Sequence, residues 1–173
     1  KLSNFLNIRD LFPNFRFNNL HISGKSILMV IAFYINEMNF RGVANSTYFY
    51  AYYNEKILKN KSVIFYNRKN LNNLKPVLNK FKKKFKVVGI VEFSEINLFK
   101  KKFKIEYIYT QKGGERDSWV SQDIKTLVHS IYPQKLKEVH GHNYAFISQW
   151  ISKKFSNEKI PFVPYIVETK KNN

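Results

Sequence analysis

Short β-branched, apolar runs alternate with amphipathic stretches along most of this chain, and that alternation limits its fold more than any other feature. Residues 26–35 are a continuous apolar run of the kind found in strands buried on both faces. Residues 62–66, 87–91, 105–110, 125–131 and 161–167 read as further strands. Between them, residues 44–58 read as helical. Leu71, Leu74, Leu78, Phe81 and Phe85 fall at spacings of three and four, with lysines on the other faces, which predicts the clearest helix. Ile96, Phe99 and Phe103 mark a short basic helix, and Tyr144, Ile147, Ile151 and Phe155 mark another. Strand and helix in turn, with short connections, predict an α/β fold: an open parallel sheet with helices on both faces. Residues 1–24 read as an irregular N-terminal extension with one short helix over 4–12. The fold then occupies 25–168, and a basic tail follows at 169–173.

Composition narrows the function classes. At 173 residues with 44% apolar content the chain suits one domain with a real core. Cysteine is absent, which excludes disulfide frameworks, thiolate metal sites and cysteine nucleophiles. The longest apolar run, from Ile27 to Ile35, falls well short of the ~20 residues of a membrane span. No secretory signal pattern is present, so the expected compartment is the cytoplasm. Thirty basic residues against 12 acidic give a net charge of +18, a field that attracts nucleic acid or an anionic leaflet. Yet 25 of those residues are Lys and only 5 are Arg, alongside 20 Asn, a bias that AT-rich codons produce. Arg is the residue that reads bases and phosphates in bidentate fashion, so the charge says little about a partner.

In an open parallel sheet, ligands bind outside the carboxyl ends of the strands. The loops after the strands therefore hold the candidates. In the first, Arg41-Gly42 precedes a helix whose N-terminal N–H groups favour an anion, and Asn39 stands beside them. An ordinary strand-to-helix turn explains the same residues. Glu115, Arg116 and Asp117 follow two glycines in a later loop, and their carboxylates suit binding or deprotonating a sugar hydroxyl. A surface turn with a local ion pair is the alternative. His129 lies in an apolar strand, as a general base or a hydrogen-bonded core residue. His140-x-His142 has no third ligand at metal spacing and reads as positioned before a helix. The basic-aromatic runs KFKKKFK (80–86) and KKKFK interleave Phe with Lys. Their lysines, over 80–104, suit peripheral contact with anionic lipid. Neither a dinucleotide fingerprint nor a P-loop is present, and no nucleophile elbow either.

Three segments carry a resemblance: IAFYINEMNFRGVANSTYFYAYYNEKILKNKSVIFY (31–66), ERDSWVSQDIKTLVHSIYPQ (115–134) and HGHNYAFISQWISKKFSNEKIPFVPYIV (140–167). With the Y-A-x-x-S-x-W pattern at Tyr144 to Trp150 and P-[FY]-V-P at Pro161 to Pro164, they resemble the amino-terminal half of bacterial and viral GT-B glycosyltransferases of the family 4-like group. The resemblance implies a Rossmann-like acceptor-side domain. Asn39, Arg41, Gly42 and Arg116 would bind substrate, and Glu115, Asp117 and His129 would be catalytic candidates. It further implies a nucleotide-sugar as co-substrate, no other cofactor and no metal, since no D-x-D pair is present. The acceptor would be a glycan or lipid-linked. The donor would be held by a second α/β domain bearing an acidic E-x7-E motif, which the residues from Glu168 to Asn173 do not supply. The first loop has a single glycine, Gly42, where that family shows more. The competing expectation is an RNA-binding component of a nucleoprotein assembly such as a ribosome or mitoribosome. A half-domain that only supports a partner chain is a third.

Overall fold

The computed structural model describes residues 29–166. Six parallel strands form one sheet: β1 (Val30–Ile35), β2 (Lys61–Asn67), β3 (Lys86–Ile90), β4 (Tyr107–Lys112), β5 (Lys125–Ser130) and β6 (Asn143–Phe146). Their spatial order is β3-β2-β1-β4-β5-β6, all in parallel register. This is the doubly wound, Rossmann-like order, in which the direction of winding reverses between β1 and β4.

β1 shows why the sheet is covered on both sides. All six of its residues are buried. Ile31, Phe33 and Ile35 enter one apolar cluster with Ala44, Tyr50 and Ala51 of α1 (Gly42–Lys56) and with Val77 and Phe81 of α2 (Lys75–Lys82). Val30, Ala32 and Tyr34 enter the other, with Phe93 and Ile96 of a 3-10 segment (Phe93–Phe99) and with Phe99 and Phe103 at the ends of α3 (Lys100–Phe103). Strand residues point alternately to the two faces, so one apolar run feeds two cores. Full burial of rings such as Phe65 and Phe81 contributes about 1.5–3 kcal/mol each. On the α3 side, α4 (Gln149–Ser156) packs Ile151 against Val128, Tyr144 and Phe146.

Several expectations need correction. Tyr144 and Ile147 do not belong to the helix that holds Ile151. Residues 143–146 are strand β6, and the helix begins after Ser148, whose Oγ accepts from Ile151 N–H at 3.3 Å. The three-four spacing of these residues ran across a strand and a helix by coincidence. His140 and His142 therefore precede a strand, not a helix. Leu71 is 99% exposed, because α2 starts only at Lys75, behind an asparagine turn and next to Pro76. The strand expected at 161–167 reduces, among the described residues, to a single parallel bridge, Phe146 to Phe162. The lysines of 80–104 do not form one surface, since α2 and α3 cover opposite faces of the sheet. The extension at 1–24, its helix, residues 26–28 of the first apolar run and the tail at 169–173 lie outside the described residues.

Candidate functional site

The winding reversal brings the loops after β1 and β4 side by side, since Tyr34 pairs with Thr110 near the ends of both strands. Asn39, Arg41 and Gly42 belong to the first loop and Glu115, Arg116 and Asp117 to the second.

The first loop is knit by amides. Asn36 Oδ1 accepts from Tyr34 OH at 3.4 Å and from Asn67 Nδ2 at 3.3 Å. Met38 N–H donates to Asn73 Oδ1 at 2.8 Å, and Asn73 Nδ2 donates to Asn67 O at 2.7 Å. Asn39 is buried, accepting from Arg41 N–H at 3.0 Å and donating to Glu37 at 2.7 Å. Arg41 pairs with the same Glu37 at 3.6 Å while 78% of its side chain remains exposed. Helix α1 then starts without a side-chain cap and without an acidic residue in its first turn, leaving its positive end uncompensated by protein. A Cβ on Gly42 would meet nothing within 4 Å. Packing therefore does not require glycine there.

The second loop is held by charge. Lys112, at the end of β4, is buried, and its ammonium is ion-paired with Asp117 and donates to His140 Nε2 at 3.0 Å. Burial pushes the Lys112 ammonium below its usual range, an effect that Asp117 opposes. His140 Nδ1–H donates to Glu138 O at 2.6 Å, which fixes the tautomer that leaves Nε2 free to accept. Burial, with the neighbouring Lys112, holds this ring below the ordinary histidine value. Gly114 (φ 111°) lies against Ser130, Gln134 and Tyr144, and Tyr144 OH donates to Gly114 O at 2.8 Å. The Glu115 carboxylate folds over Gly113. Arg116 donates through Nη2 to Val139 O at 2.8 Å and Lys137 O at 3.3 Å, and through its N–H to Glu138 at 3.1 Å. It staples the loop to the segment ahead of β6. Trp119 packs its ring 5.0 Å from Tyr34, and burial with the charges of Glu92 and Asp117 lifts that phenol to about 12.

His129 stands apart. Its residue is 2% exposed. Tyr109 OH donates to Nδ1 at 2.7 Å and Gln111 Nε2 donates to it at 3.3 Å, so Nε2 carries the hydrogen and donates to Val163 O at 2.9 Å. Burial pushes the ring down to about 4. Both nitrogens are engaged and solvent is excluded, which is the arrangement of a core histidine and gives a general base no path to a substrate. Gln111 Oε1 in turn accepts from Ser46 Oγ on α1. His142 Nδ1 accepts from Thr126 N–H at 3.1 Å, and among the described residues no three His, Asp or Glu side chains gather as a metal site. A groove of about 440 Å³ lies between the start of β6 and residues 158–161, away from the loops after β1 and β4. Among the described residues no helix is long and apolar enough to cross a membrane.

The structure therefore gathers Asn39, Arg41, Gly42, Glu115, Arg116 and Asp117 at one end of two neighbouring strands and leaves His129 in the core. Lys112 and His140, which join the second loop to the sheet, escaped sequence reasoning as a pair. The available signal was strand alternation: Ile108, Thr110 and Lys112 share one face, so an extended β4 buries the lysine. Comparison of the chain with protein families, with curated proteins and with solved structures gives no significant match.

Proposed function

We propose that this chain is the acceptor-side domain of a GT-B-type glycosyltransferase, moving a sugar from a nucleotide-sugar to a glycan or lipid-linked acceptor in the cytoplasm. The observation that carries the reading is the winding reversal between β1 and β4, with an uncapped helix N-terminus after the first strand and the carboxylate-bearing loop after the second. The helix end and Arg41 suit an anionic group of substrate. Asp117 is the carboxylate best placed to accept a hydroxyl proton, being fixed by Lys112 and still 37% exposed at its side chain. Glu115, exposed in the same loop, is the second candidate. Rate enhancement would come chiefly from positioning and from neutralising leaving-group phosphate. The RNA-binding alternative draws less support, because the lysines of α2 and α3 face opposite ways instead of forming one stripe.

The test is release of nucleoside diphosphate from a panel of nucleotide-sugars by the protein purified from its native source. Donor-dependent release that drops about a hundredfold or more in Asp117→Asn supports the reading. No release with any donor, together with RNA binding that weakens steeply with salt, replaces it with the alternative.

A further inference from the structure

Lys112 is held from two sides. Its ammonium is ion-paired with Asp117 Oδ1 and donates to His140 Nε2 at 3.0 Å, and its side chain is only 4% exposed. The other ring nitrogen of His140 is already committed, since Nδ1–H donates to Glu138 O at 2.6 Å. Trp119 N–H donates to the same Asp117 oxygen at 2.8 Å. Oδ1 thus takes both contacts, while no hydrogen bond from the described residues reaches Oδ2 and the Asp117 side chain stays 37% exposed. Of the charges facing His140, those of Lys112 and Arg116 oppose a proton on the ring and that of Asp117 favours one. Glu115 favours the Lys112 charge, and Glu138 accepts from Arg116 N–H at 3.1 Å. The Tyr144 ring stands 5.6 Å from His140 with its hydroxyl given to Gly114 O, and His142 is occupied by Thr126 N–H.

We infer that Asp117 Oδ2 is the oxygen that takes the proton of the acceptor hydroxyl, and that His140 is a positioning residue for it, acting through Lys112. A carboxylate serves as a base at a fixed place when one oxygen is anchored and the other is free. Lys112 anchors Oδ1 only while its own ammonium is held, and His140 holds it as long as Nε2 keeps its lone pair. A proton taken from solvent onto Nε2 removes that acceptor and sets two cations where a 3.0 Å hydrogen bond had been. Lys112 then withdraws, and Oδ1 loses its anchor. Burial and Lys112 keep the ring below its ordinary value of 6.5, so the contact is complete above that pH and is lost as pH falls through the lower folded value. The role of Oδ2 rests on the transferase reading; the coupling of His140 to Asp117 does not.

Two measurements on the full chain test this. In an NMR titration the Trp119 N–H signal reports on Asp117 Oδ1, and it should shift with the same midpoint as the His140 ring, below pH 6.5. His140→Gln keeps an acceptor that does not titrate and should abolish that shared step. His142→Gln, two residues away, should leave it in place. In nucleoside diphosphate release, His140→Leu should lower kcat about tenfold at unchanged KM for the nucleotide-sugar, and His140→Gln should recover it to within about twofold. A shared step that is absent from the unaltered protein, survives His140→Gln or vanishes in His142→Gln overturns the proposal, and so does a His140→Leu loss that glutamine does not recover. A protein that releases no diphosphate from any donor overturns the transferase reading and the role of Oδ2 with it, and the titration alone then decides the coupling.

Discussion

The loops after β1 and β4 meet at one end of the sheet and are secured by opposite means. Amides dominate the first: Asn36, Asn39, Asn67 and Asn73 bond one another, the backbone and the Glu37 carboxylate, and the rim beyond them, Phe40 to Gly42, is exposed. A buried ammonium, a glycine at positive φ and an arginine staple hold the second, whose inner wall is closed. Neutral hydrogen bonds cost little desolvation and tolerate an exposed edge, whereas a buried charge must be enclosed by its partners. The carboxylates thus sit on the more firmly held of the two loops, and the helix end on the more open one.

The contrast breaks most visibly at the glycines of the firmly held loop. Gly114→Ala adds a Cβ that collides with Ser130, Gln134 and Tyr144 at φ 111°, and should cost about 3 kcal/mol in a urea titration. A comparable effect comes from acid. Because the folded His129 ring titrates at about 4 and an unfolded one at 6.5, protons favour the unfolded chain between those values. Its contribution is complete above pH 6.5, declines by about 3 kcal/mol as pH falls to about 4, and levels off below. His129→Gln should flatten most of that slope. Lys112→Met is expected to cost only about 1 kcal/mol, since the Asp117 carboxylate left behind is part-exposed and can rehydrate. A loss several times larger would mean that Asp117 cannot reach water. At the more open loop, Gly42→Ala should change stability by less than about 0.5 kcal/mol while weakening donor use, read as a higher KM for the nucleotide-sugar.

The alternation of apolar runs made the parallel sheet legible, because β1, β2 and β5 are buried on both faces and have no other use for so many β-branched residues. β6 was not legible. It is only four residues long, and Tyr144 lies at helical spacing from the true helix residues Ile151 and Phe155. Asn39 to Gly42 and Glu115 to Asp117 could be found as polar residues after strands, a rule set by topology. That Arg116 would grip backbone carbonyls, and that Lys112 and not a surface charge would anchor Asp117, depends on how the segment ahead of β6 folds back. No spacing in the chain encodes that return path.

The segment from Pro161 to Ile166 bonds three separate elements: β6 through Phe146 N–H to Pro161 O and Val163 N–H to Phe146 O, β5 through His129 to Val163 O, and α1 through Tyr50 OH to Pro164 O at 2.7 Å. The segment works as a clasp at one edge of the sheet: β6 cannot leave with it unless its bonds to β5 and to α1 also break.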